Sequence, residues 1–169
     1  MKELKLPGQK IGEDLESAIK RILSQQYNNS VQLPHISKEG IEALYGFGYA
    51  LYTSGHYEKA LHFFQFLTLV DIDGRKHWMA LAAVHQVLKN YDLALQAYAF
   101  AALQNPLDPY AHWHAAECFL GKREFDAAIE ALQAAKSAAK TDKIRHKDLL
   151  NKLLLIDRAN TAKAKKKGG

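Results

Sequence analysis

Proline and cysteine are scarce in this chain of 169 residues, which has four of the first and one of the second. The single thiol, Cys118, excludes an internal disulfide and fits a reducing compartment. Long hydrophobic runs are missing as well. No stretch approaches the roughly 20 uninterrupted apolar residues that a bilayer needs, and Met1 to Lys10 lacks the apolar core of a secretory signal. A soluble, unexported protein with no membrane insertion is therefore expected. There is no strand-to-helix nucleophile turn, no glycine-rich phosphate loop and no paired-carboxylate motif, so an enzyme has no visible address and no cofactor is implied. His114 and Cys118, four apart, have a spacing that zinc ligands can use, but a further ligand is needed and only His85 comes near by register. No metal site is expected.

The net charge of +5 suggests nucleic acid until it is mapped. From Lys136 onward there are 11 Lys and Arg against 3 Asp and Glu, so residues 136–169 carry +8 and the remainder about −3. The basic character belongs to the tail. Lys163, Lys165, Lys166 and Lys167, followed by two glycines, read as a disordered solvated run over 160–169, and no aromatic side chains interleave with them to stack bases. No nucleic-acid partner is expected.

What the chain does have is a period. Ala60, Ala94 and Ala128 stand 34 residues apart, each with an aromatic three before it (Tyr57, Tyr91, Phe125) and a large side chain four after it (Phe64, Tyr98, Leu132). Gly48, Ala82 and Ala116 form a second small-residue column, and Leu44, Trp78 and His112 a third of larger ones. Small residues at the eighth and twentieth places of a 34-residue unit are the mark of the tetratricopeptide repeat, one helical hairpin per unit. They are small because the two helices cross there.

Apolar spacing and punctuation then set out an all-α solenoid of three hairpins. Ile11, Leu15, Ala18, Ile19 and Ile22 predict an N-terminal helix over about 12–26 within a leading segment 1–36. Paired helices are expected at 38–53 and 57–70, 75–88 and 91–104, then 109–121 and 125–138, giving repeats at about 41–74, 75–108 and 109–140 within a tetratricopeptide region 37–140. Ser37 is placed to cap the first helix, and Gly55, Asp71 to Gly74, and Pro106 with Pro109 punctuate the rest. A last helix from about 142, inside a segment 141–159, carries Leu149, Leu150, Leu153, Leu154 and Ile156 and reads as the cap that a stack of repeats needs. The N-terminal helix either covers the other end or buries its stripe against a second copy.

The first helix of each hairpin lines the concave side of such a stack. Places two, five, nine and twelve of the repeat share one helical face. They are Glu42, Tyr45, Tyr49 and Tyr52; Lys76, Met79, Ala83 and Gln86; Tyr110, Trp113, Glu117 and Leu120. Three tyrosines in line outside the core columns suit an extended peptide, because each supplies a rigid apolar face and a hydroxyl for the peptide backbone. The bland alternative is that the rings fill space within the hairpin. A carboxylate-clamping scaffold would want several converging basic groups, and among these places only Lys76 is basic.

Leu44-Tyr45 with Tyr52 and Gly55, Phe63-Phe64-Gln65-Phe66-Leu67 leading to Asp71, Tyr91-Asp92-Leu93-Ala94, and His114-Ala115-Ala116-Glu117-Cys118 together resemble the class II chaperones of bacterial type III secretion. The resemblance spans about residues 33–157. It implies a chaperone of the bacterial cytoplasm that binds a short extended segment, roughly Pro-x-Leu-x-x-Pro, of hydrophobic translocator proteins and keeps them soluble and apart. It also implies homodimers formed through the N-terminal region. By the same resemblance Tyr45 and Tyr52 are groove aromatics and Phe66 and Leu67 lie at the groove floor. With the concave places added, the expected peptide-binding set is Tyr45, Tyr49, Tyr52, Phe66, Leu67, Met79, Ala83, Gln86, Trp113 and Glu117. The chain departs from the family pattern in its basic Lys20-Arg21 segment and its Lys-rich end.

Overall fold

The structure, a computed structural model, describes residues 35–156. The expected N-terminal helix and the basic tail lie outside those residues. Six helices follow in order: α1 Lys38–Thr53, α2 Tyr57–Val70, α3 Arg75–Val87, α4 Tyr91–Gln104, α5 Pro109–Lys122 and α6 Phe125–Ala139. A 3-10 turn at Lys140–Asp142 leads to a last helix, α7, whose described part is 147–156. The helix limits agree with those read from the sequence to within a residue through α6. The last helix starts later than expected because Asp142 acts as a stop and a restart. Its side chain accepts a hydrogen bond from the Arg145 amide at 3.0 Å, and the Thr141 hydroxyl donates to the Ala138 carbonyl at 2.6 Å.

Local chemistry fixes the helix ends. Ser37 caps α1 by accepting from the Gly40 amide at 3.2 Å, and Asp108 caps α5 by accepting from the Tyr110 amide at 2.8 Å, with Pro109 in the first turn where its missing N–H costs nothing. Asp71 and Asn105, one repeat apart, close α2 and α4 with nearly the same backbone, φ −140° and −148°.

The chain divides into two compact units, one holding α1 to α3 and ending at Leu88, the other beginning at Lys89 and holding α4 onward. In the first unit α1 packs on α2 and α2 on α3. Phe63 and Phe66 form the centre of one cluster, covered by Ile36, Leu44, Leu51 and Val70. Gly48 sits where α1 meets α2, and an added Cβ there would lie 3.1 Å from Phe63 Cβ and from the Phe64 ring. Ala60 and Ala82, from the same small-residue columns, have no exposed surface. Burying each of these phenylalanines contributes roughly 1.5–3 kcal/mol, which the close helix approach makes possible.

In the second unit α5 packs on both α4 and α6. Ala94, Ala116 and Ala128 are buried, as the period requires. Ala135, Ala139, Leu149 and Leu153 form a cluster joining α6 to α7, with Trp113, Leu132 and Leu150 packed against it. Lys122 ties the end of α5 to the start of α4, 2.6 Å from Asp92, and to Glu124 at 2.9 Å. No helix among the described residues is long and apolar enough to cross a membrane.

Candidate peptide-binding site

The face of α1 that carries Glu42, Tyr45, Tyr49 and Tyr52 is only partly covered by α2 and α3. Glu42 and Tyr49 are exposed, Tyr49 with 54% of its surface open, while Tyr45 and Tyr52 are half-buried. Tyr45 and Tyr49 stack with centroids 6.4 Å apart and planes 12° from parallel. Tyr45 is backed by Phe64 of α2 and His77 of α3, each 5.7 Å away, and Tyr52 meets Tyr57 edge-on at 5.6 Å. Tyr45 and Tyr52 are therefore held at their bases, and Tyr49 rests on Tyr45 with its other side open. Fixing them in advance reduces the entropy lost when a ligand docks.

α3 stands beside this row. Its Lys76 pairs with Glu42, the residue at the same repeat place on α1, and its ammonium lies 4.8 Å from the centre of the Tyr45 ring. Met79, Ala83 and Gln86 continue along α3, all half-buried. Burial pushes the Tyr45 hydroxyl above its ordinary pKa, with the Lys76 charge working against it, and burial likewise raises Tyr52. Both hydroxyls stay protonated at neutral pH and can donate to a peptide carbonyl or accept from an amide.

The other expected residues stand differently. Phe66 and Leu67 are 3% and 0% exposed, so neither offers surface to a ligand; Phe66 belongs with Phe63 to the cluster covered by Ile36, Leu44, Leu51 and Val70. Trp113 packs against the α6–α7 cluster, which turns part of its indole from ligand surface into core. Glu117 accepts from His114 Nδ1 at 2.8 Å, and the His114 ring stacks on Tyr98 at 5.6 Å. That arrangement leaves His114 engaged. Burial, with Glu117 adding to it, pushes the Cys118 thiol up to about 11, which disfavours the thiolate a metal needs. No group of three potential ligands gathers among the described residues.

Two features of the site went unread in the sequence. The sequence marks Lys76 only as a charge, and the fold sets its ammonium over the Tyr45 ring. His77 occupies a place where the first and third repeats have Ala43 and Ala111, and that break in the period was a legible signal.

Paired helices with a 34-residue period and small residues at their crossings define a tetratricopeptide protein, and the tetratricopeptide repeat family matches residues 41–71 and 76–103. Low calcium response locus protein H of Yersinia pestis is 35% identical over 117 residues, covering 69% of this chain and 69% of that protein. The Yersinia enterocolitica type III secretion translocator chaperone SycD, solved with a peptide of the translocator YopD, is 31% identical with a TM-score of 0.71, covering 78% of this chain and 99% of that one. SycD is also solved as an alternative dimer. PcrH of Pseudomonas aeruginosa, solved with the chaperone-binding region of PopD, is 30% identical with a TM-score of 0.73, covering 79% and 99%. The chain belongs to the class II chaperones of type III secretion.

Proposed function

We propose that this protein is a cytoplasmic, non-enzymatic chaperone that holds an extended segment of a hydrophobic translocator on the tyrosine face of α1 and α3. The observation that carries this reading is the row Tyr45, Tyr49 and Tyr52, with Tyr45 backed by the buried Phe64, Tyr52 by Tyr57, and Tyr49 stacked on Tyr45 and largely open. Solved relatives carrying translocator segments support the class of client. Sequestering such a segment lowers the free concentration of an aggregating species by mass action. An extended, proline-stiffened strand suits the task because little of its entropy remains to be lost on docking. Each buried anchor contributes roughly 1.5–3 kcal/mol before ordering costs, so a few suffice for micromolar binding. The SycD dimer supports a homodimeric working form.

A carboxylate clamp fits less well, since Lys76 is the only basic group at these places of α1 and α3 and Glu42 already pairs with it. The deciding experiment is co-expression with translocators of the same secretion system, co-purification and titration with their segments. Tyr45→Ala with Tyr52→Ala is expected to weaken binding at least about tenfold, near 1.4 kcal/mol, with helix content almost unchanged. Tyr49→Ala, at the most exposed ring, should weaken binding with no loss of stability. Undiminished binding by both variants removes the groove.

A further inference from the structure

His77 is the least economical residue in the first unit. Its side chain is fully buried, Nδ1 lies 3.3 Å from Asp71 Oδ2 without hydrogen-bond alignment, and Nε2 has no partner among the described residues. A buried imidazole in that state costs stability that the alanines at the same place in the other repeats do not. Room for it is made by Gly74, where an added Cβ would come within 2.2 Å of His77 Nδ1 and 2.6 Å of Asp71 Oδ2. On its other side the imidazole meets the Tyr45 ring, 5.7 Å between centroids. The ring is thus wedged between the α2–α3 connection and the wall of the site.

We propose that His77 is a positioning residue for the client face: as a neutral wedge between Asp71 and Tyr45, it holds the tyrosine ring against Tyr49. The groups facing it are Asp71 from the α2–α3 connection, Tyr45 and Glu42 from α1, and Lys76 from α3. Burial holds His77 neutral below its ordinary range, Asp71 opposes that, and Lys76 reinforces it while Glu42 counters Lys76. On protonation the nearest counter-charge is Asp71, which is partly open to solvent, so the imidazolium turns toward the connection and withdraws its support from Tyr45. The client face therefore loosens in mild acid. Its consequence for clients rests on the function proposed above, whereas the movement of Tyr45 does not.

The test uses the full chain with 3-fluorotyrosine incorporated at Tyr45 and the ring followed by fluorine NMR from about pH 7.5 to 5, the range of histidine titration. Circular dichroism confirms that the fold persists. The client probe is a fluorescent peptide of the Pro-x-Leu-x-x-Pro pattern with alanine at its open positions. Because His77→Ala opens a cavity, the deciding variants are His77→Phe, which keeps an aromatic wedge that cannot titrate, and Asp71→Asn, which removes the counter-charge. The fluorine signal is expected to shift with pH in the parent chain, to shift at lower pH in Asp71→Asn and to stay flat in His77→Phe. Peptide affinity should fall roughly fivefold over that range in the parent and hold in His77→Phe. A signal at residue 45 that ignores both pH and His77→Phe overturns the positioning role. A signal that moves as expected while peptide binding ignores pH and Tyr45→Ala leaves the positioning intact and overturns the client reading.

Discussion

Lys89 and Arg123 both take up the left-handed backbone, φ 60° and 64°, at the repeat place that Gly55 fills with φ 82°. Only the first of the three connections uses the residue that reaches this region without steric cost. A side chain there costs about 1–2 kcal/mol, partly offset by the freedom glycine gives the unfolded chain. Lys89→Gly with Arg123→Gly should stabilise the protein by about 1 kcal/mol and raise its thermal midpoint by about 2–4 °C in a calorimetric scan. At the same scale, burial holds both His77 and His85 neutral in the folded state. The unfolded chain takes up protons near pH 6.5 where the folded one resists them, so it binds more protons and stability falls as pH drops through that value. Stability is fully present above about pH 7 and declines by at most about 1.4 kcal/mol per pH unit for each proton withheld. Urea unfolding at pH 7.5 and 5.5 measures the loss, and His85→Gln should recover part of it.

The helices are short, and what fixes them is how closely they cross. Ala60 and Ala82 in the first unit, and Ala94, Ala116 and Ala128 in the second, expose at most 1% of their surface, so the backbones there have no slack. Ala94→Glu puts a carboxylate where neither space nor a partner exists and should unfold the protein; a fully helical, cooperatively melting variant would contradict the 34-residue register. Gly121 shows the same constraint at the end of α5, where an added Cβ would fall 2.5 Å from the Tyr91 ring. α4 differs from its neighbours in being apolar nearly all round, with Leu93, Phe100 and Leu103 48%, 49% and 76% exposed beside buried Ala94, Ala97, Tyr98 and Ala101. Its inward side follows the repeat. The outward side does not.

For the whole molecule, the charge and the proposed client face occupy different parts of the chain, since +8 lies in residues 136–169 and the tyrosine row lies on α1. Removing residues 160–169 should leave translocator binding unchanged within about twofold, the spread of ordinary titrations; loss of binding together with a steep salt dependence would instead place the affinity in the tail. The repeat, the helix limits through α6, the small residues at the crossings and the aromatic row were all legible in the sequence, because each follows from local spacing: a period of 3.6 assigns a residue to a face, and a period of 34 assigns that face to a repeat. What covers a face is not a local property. Only the folded chain set Lys76 over Tyr45, pressed His77 against it, closed Phe66 and Leu67 off from solvent, and packed Trp113 on the α6–α7 cluster, because each of those contacts joins side chains whose distance in sequence says nothing of their distance in space.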